Sequence, residues 1–362
     1  MGEMRVLLLE EYSGFFKNLK EGLKTNGHDV TFIATQDGWK KVEGMDYIIG
    51  SSFKGVLAKI VRRFKLLWHL PKMRGYDVVF LINQSFLFEG ISSLVLWYLK
   101  YNNKKVFLSA CGGDVQYARF GLSGGYRYWP YDGFEGEVTD KCLSKHDIRL
   151  NRKVCNSVNG VIPITYEYAE AWRNSPHKHL LLKTIPLPIN VDSVKPASFV
   201  CQDKIVFFHG LNREGFKGTL YIREAMENMA KKYPSEIEII IKGKMPLNEY
   251  LDLLRDVNVV IDSCKGYSYA NMNTLYAMAL GKTVMMTCES ECIAEYGLED
   301  RPPIVAISPN VRHIEEQIEW IILNREKLKK ISCESRSFVE EYHSHKLIAQ
   351  RYTDQWTKIP CG

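Results

Sequence analysis

Residues 207–219 read FFHGLNREGFKGT, and their side chains pose a chemical question. An apolar run ends at His209 and Gly210; Gly215 and Gly218 follow, with Arg213 and Lys217 among them. Glycine lets the backbone approach a ligand closely, and two cations at such a turn are costly to bury without partners. A helix pattern begins at 218, so free amides and the positive end of a helix dipole face the same spot. A diphosphate satisfies all three features together. The stretch is neither a GxxxxGK[ST] loop nor GxGxxG, so a tight turn with solvated Arg213 and Lys217 stands as the other reading.

A second constellation lies in SCKGYSYANMNTLYAMALGKTVM, residues 263–285. Ser268, Tyr269, Asn271, Asn273 and Thr274 offer hydroxyl and amide groups of the kind that pair with sugar hydroxyls. A short Ala- and Met-rich helix begins near Met272 and closes at Gly281, and its first amides suit a second anionic group. The alternative is that Asn271 only caps that helix and Tyr269 packs on a neighbour. In VFLSACGGDVQ, Asp114 follows a strand; it either orients or deprotonates an acceptor hydroxyl or caps the next helix. The sequence has no Asp-x-Asp, and its nine cysteines include no CxxC pair. Neither a metal, a disulfide framework nor a bound cofactor is expected.

These groups need elements to hold them. RVLLLEE, DVTFIAT, DVVFLIN and KVFLSA read as strands separated by helical segments, which implies parallel sheets covered on both faces. The proline-bearing stretch TIPLPINVDSVKPASF interrupts the rhythm, and a new series then starts at KIVFFHG: helix 218–232, IEIIIKG, helix 247–255, VNVVIDS, helix 272–280 and KTVMMT. The expected fold class is α/β, with a first doubly wound domain over 1–195, a second over 196–340, and a helix over 341–362 returning to the first. Ligands of such sheets bind outside the carboxyl ends of the strands, so a cleft between two facing domains is expected.

At 362 residues, 46% hydrophobic and 25% charged, the chain can bury two ordinary cores. Its first 195 residues carry 27 Lys and Arg against 19 Asp and Glu, a net of +8, while the remainder carries 21 against 23. Much of the excess sits in residues 54–74, KGVLAKIVRRFKLLWHLPKMR, with seven basic residues and no acidic one. Val56, Leu57, Ile60, Val61, Phe64, Leu67 and Trp68 recur at helical spacing, and Pro71 ends the pattern. Two readings stand: a helix packed on its domain with solvated cations, or a membrane patch built on Arg62, Arg63, Lys65 and Trp68 that docks on anionic lipid. No nucleic-acid signature accompanies the charge. The apolar part of MGEMRVLLLEEYSG is shorter than a secretory core and no apolar run is long enough to span a bilayer, so a cytoplasmic location is expected.

These stretches together resemble the GT-B glycosyltransferases, in particular the retaining family-four type of bacterial surface-polysaccharide synthesis. GLKTNGHDVTFIAT, YDVVFLIN and VFLSACGGDVQ are similar to the family's first-domain units, and IPLPINVDSVKP to its interdomain linker. HGLNREGFKGT is similar to the phosphate-binding turn; LNEYLDLLRDVNVVIDS and YSYANMNTLYAMALGKTVM are similar to the donor-sugar region. The resemblance implies that Arg213 and Lys217, with His209, Gly210 and Gly218 beside them, hold the diphosphate of a nucleotide sugar. It implies that Ser268, Tyr269, Asn271, Met272, Asn273 and Thr274 hold the sugar and distal phosphate. It also implies transfer to a saccharide acceptor, and the basic first half points to a lipid-linked one at the inner face of the cytoplasmic membrane. Many relatives carry two glutamates separated by seven residues; here Ser268 and Tyr276 occupy those places. That departure keeps two further readings open, a nucleotide-sugar epimerase and a non-catalytic nucleotide-sugar-binding protein.

Overall fold

Largely apolar runs of two to seven residues become the strands of two all-parallel sheets in the computed structural model, which describes residues 2–36, 41–85, 91–198, 203–211 and 214–360. The first sheet contains β1 (Arg5–Leu9), β2 (Asp29–Ala34), β3 (Tyr47–Ile48), β4 (Val78–Leu81), β5 (Lys105–Ala110) and β6 (Gly160–Pro163), in the order β3-β2-β1-β4-β5-β6. The second contains β7 (Ile205–Leu211), β8 (Ile237–Gly243), β9 (Val259–Ile261), β10 (Thr283–Met286) and β11 (Ile304–Ala306), in the order β11-β10-β9-β7-β8. Register follows from the apolar pattern, as in Val6 opposite Val30 and Val78, and Phe208 opposite Ile240 and Val260.

Helices connect the strands. In chain order they are α1 (Phe15–Thr25), α2 (Gly55–His69), α3 (Ser92–Asn102), α4 (Val115–Leu122), α5 (Glu135–Cys142), α6 (Lys145–Cys155) and α7 (Tyr166–Arg173). Then come α8 (Glu214–Lys217), α9 (Thr219–Lys232), α10 (Leu247–Asp256), α11 (Met272–Ala279), α12 (Ser290–Tyr296), α13 (Val311–Leu323), α14 (Leu328–Tyr342) and α15 (His345–Lys358).

Two compact units result. One holds Met1–Gly125, Gly136–Pro188 and His345–Gly362; the other holds Tyr126–Glu135 and Ile189–Ser344. The sequence reading divides the chain at 195 and 340; the units divide at Pro188 and Ser344, and Tyr126–Glu135 lies with the second unit instead of the first. In the first unit α15 lies along α1, where a Cβ on Gly22 would stand 2.1 Å from the carbonyl oxygen of His345. Only glycine admits that approach. Tyr352 and Trp356 of α15 are fully buried and pack on Phe80, whose ring also meets Phe15 and Phe16.

One expectation is overturned. The packed-helix reading of residues 54–74 places the apolar face of α2 on the core, yet the helix buries only Ala58 and Leu66. Val56, Leu57, Ile60, Phe64, Leu67 and Trp68 are exposed. The reason is geometric: Leu66 alone reaches the core cluster under the helix, and the broad stripe faces outward.

Candidate functional site

In a doubly wound sheet, strands on either side of the point where the order reverses leave a crevice at their carboxyl ends. In the second sheet that point lies between β7 and β9. β7 delivers His209 and Gly210 there; β9 delivers Asp262, directly after Ile261. Two helices begin at the same place. α9 starts after Gly218, which has a φ of 71° and no side-chain cap; a Cβ there would come within 2.4 Å of Cys264 Sγ. α11 starts after Asn271, whose side-chain oxygen accepts from the Thr274 amide at 3.0 Å.

Asp262 is the hub of these groups, and sequence reasoning passed over it. Its carboxylate is 1% exposed and accepts from the Lys217 ammonium and from Asn271 Nδ2, with Asn273 Nδ2 and Thr274 Oγ1 each at 3.4 Å. Burial pushes this carboxyl up, but the neighbouring Lys217 ammonium and the Asn271 amide outweigh burial and hold it below its ordinary range. It therefore stays ionised. The signal available in the sequence was an acid placed directly after an apolar strand, in VVIDS.

Lys217 is not the solvated cation of the tight-turn reading. It is 7% exposed, and its ammonium also donates to the Gly210 carbonyl at 3.3 Å. An ammonium has three N–H groups, so one remains beyond these two partners. His209 is fully buried, with Nδ1 2.7 Å from the Ile261 carbonyl and Nε2 2.9 Å from Thr219 Oγ1. Burial, then the Lys217 charge, push its imidazole down to about 4, so it is neutral near pH 7.

The other candidates separate. Asn271, Asn273 and Thr274 join the hub, whereas Tyr269 turns into the core of the second unit. There its ring is enclosed by Tyr296 and Phe338, and its hydroxyl lies 2.8 Å from His343 Nε2. Ser268 and Met272 are also buried. Arg213 lies outside the described residues. In the first unit Asp114 caps α4: Oδ1 accepts from the Tyr117 amide at 2.9 Å and Oδ2 from Trp172 Nε1 at 3.0 Å. With both oxygens engaged and 2% exposure, this carboxylate fits the capping reading and not that of an acceptor base. Burial pushes it up.

A further element reached the site unannounced. Tyr126–Glu135, YRYWPYDGFE, lies against the loop that follows β9. The Gly266 amide donates to the Tyr128 carbonyl at 3.0 Å, the Arg127 amide to Tyr267 Oη at 2.6 Å, and Lys265 Nζ to the Asp132 carbonyl at 3.0 Å. Tyr131 meets Phe216 edge-on at 5.2 Å, and a Cβ on Gly215 would strike the Phe134 ring at 2.6 Å. Among the described residues no group of three or more His, Cys, Asp or Glu could hold a metal ion, and no helix is long and apolar enough to cross a membrane.

No protein-family model matches the chain. No curated protein matches it. Solved structures do. Sucrose-phosphate synthase from Thermosynechococcus elongatus superposes over 98% of this chain and 99% of its own, with a TM-score of 0.66 at 12% identity. Anabaena HepE in complex with UDP and glucose covers 98% and 100%, with a TM-score of 0.63 at 10% identity. UDP-GlcNAc 2-epimerase from Neisseria meningitidis bound to UDP-GlcNAc covers 98% and 100%, with a TM-score of 0.53 at 13% identity. The chain has the α/β GT-B architecture, with two doubly wound Rossmann-like sheets.

Proposed function

We propose that the chain is a glycosyltransferase that moves a hexose from a nucleotide diphosphate to a saccharide acceptor. One observation carries the reading: the buried Lys217–Asp262–Asn271 cluster and the first turns of α9 and α11 converge at the β7/β9 switch point. HepE, a structure of this architecture, is described with UDP and with UDP-glucose, which favours a nucleotide sugar as the ligand.

The chemistry follows from charge. When the bond from the sugar to the diphosphate breaks, negative charge grows on the leaving oxygen, and donors already in place stabilise it without reorganising. Lys217 offers its remaining N–H. Its charge is balanced by Asp262, so net attraction for the anion falls to Arg213 and the helix-end amides. Asn273 and Thr274 present an amide and a hydroxyl close by, and Asp262 supplies a carboxylate in a region where Ser268 and Tyr276 stand in place of glutamates. We assign the reaction a metal-independent, retaining course, with no cofactor beyond the nucleotide-sugar substrate. We assign the acceptor to the lipid-linked saccharides of bacterial surface-polysaccharide synthesis, at the inner face of the cytoplasmic membrane.

Calorimetry against UDP, GDP, ADP and their sugars tests the reading. One nucleotide diphosphate binds, and its sugar is consumed only when an acceptor is present, with or without chelator. A sugar that changes configuration with no acceptor establishes the epimerase reading, which the epimerase structures of the same architecture favour. A bound but intact donor across an acceptor panel establishes a binding protein, and the absence of any nucleotide binding overturns the proposal.

A further inference from the structure

α2 and α3 pack on one core, through Leu66 of the first and Val95, Leu96 and Leu99 of the second. What they leave outside is unusual. Among the described residues eighteen large hydrophobic side chains are exposed, and eleven of them lie between Ile48 and Tyr101. Exposed apolar residues scattered singly are ordinary, but a concentration of this kind marks an interaction surface. Val56, Ile60, Phe64 and Trp68 follow at four-residue steps along α2, with exposures of 74%, 55%, 66% and 69%. The last two rings stack with centroids 6.3 Å apart. α3 contributes Leu94, Trp97 and Tyr101, and the rings of the last two lie 5.4 Å apart.

We infer that these faces of α2 and α3 form one docking surface for an anionic lipid bilayer. Charge selects the occupant. The apolar stripe of α2 is flanked by Lys54, Lys59, Arg62, Arg63, Lys65, Lys72 and Arg74, with no acidic residue between 54 and 74. A second copy of the chain would bring the same cations against each other, whereas anionic headgroups meet them with opposite charge. Tryptophan and tyrosine beside Lys and Arg suit the headgroup boundary, where an apolar ring and a polar or charged tip are both satisfied. The fifteen residues of α2 span only about 22 Å at 1.5 Å each. The helix thus lies in the plane of the interface and does not cross the bilayer. This places a lipid-linked acceptor of the proposed reaction within reach of the first unit, but the surface stands on its own residues and fails separately from the nucleotide reading.

The test is flotation with vesicles of phosphatidylcholine alone and of phosphatidylcholine with phosphatidylglycerol, at low and high salt. The parent floats with the anionic vesicles at low salt and is released by high salt. The triple variant Arg62→Glu, Arg63→Glu, Lys65→Glu partitions about tenfold or more weakly, and Phe64→Ser with Trp68→Ser also lowers partitioning. Both variants keep the parent's affinity for UDP, since none of these residues touches the β7/β9 cluster; a melting curve shows that each is folded, because Lys65→Glu gives up the 2.7 Å bond from Nζ to the Gly50 carbonyl. A parent that ignores anionic vesicles overturns the proposal, as does undiminished flotation of both variants. Elution of the parent as a dimer that Phe64→Ser with Trp68→Ser converts to a monomer assigns the face to a second copy instead.

Discussion

Replacing Lys217 with alanine tests the central claim about the site, that its cation is structural before it is a ligand contact. The Lys217 and Asp262 side chains are 9% and 2% exposed, so Lys217→Ala leaves a carboxylate in a dry setting with only Asn271, Asn273 and Thr274 as partners. Removing one member of a buried pair costs about 3–5 kcal/mol, well above the ~1 kcal/mol ceiling of an exposed pair. With a urea slope of about 2 kcal/mol per molar, the unfolding midpoint of the second unit falls by about 2 M. The sign with pH follows from the carboxyl itself. In the parent Asp262 is held below its ordinary range, so its contribution is present above the unfolded carboxylate pKa and lost as pH falls through the folded value. In Lys217→Ala the same carboxyl lacks its cation, and protonation relieves it. The gap between parent and variant is therefore widest near neutral pH and narrows as pH falls towards about 4 and below, because burial without the cation raises the variant's carboxyl. Lys217→Met combined with Asp262→Asn removes both charges and costs less than the sum of the single changes. Urea titrations followed by tryptophan fluorescence at pH 7 and pH 4 measure all of this. A Lys217→Ala midpoint equal to the parent's at both pH values would refute the buried-pair account and return Lys217 to the role of a solvated cation.

Arg213→Ala weakens UDP binding by about 10- to 150-fold, the equivalent of a charge-assisted contact of about 1.5–3 kcal/mol, which calorimetry checks. His209, pushed down to about 4 by burial and Lys217, binds its proton in the unfolded chain first. The stability of the second unit thus falls as pH drops from about 6.5 towards 4, and melting curves of His209→Asn are flatter across that window. Gly22→Ala drives a methyl group into the His345 carbonyl oxygen and costs about 1–3 kcal/mol, read as a lower melting temperature and faster proteolysis at α15. Asp114→Asn keeps the cap for Tyr117 but sets an amide against Trp172 Nε1; stability drops by about 1–3 kcal/mol while turnover per folded molecule is retained.

Alternation of apolar runs with helical segments determined the two parallel sheets, because a strand that must re-enter beside its predecessor needs a crossover, and a crossover helix has its own period. The glycine and asparagine at the starts of α9 and α11 were legible for the same local reason: each answers to the backbone of the few residues around it. The tertiary structure alone decided the rest. Lys217 and Asp262 stand 45 positions apart, and no periodicity in either segment records that the strands preceding them, β7 and β9, become neighbours. Tyr269, polar enough to suggest a sugar contact, turned inward because His343 supplied a partner for its hydroxyl. In α2 the spacing of apolar residues identified a face but not its direction. Hydrophobic periodicity reports which side chains share a side of a helix, and only the packing of Leu66 against the sheet settled that the shared side of Phe64 and Trp68 looks outward.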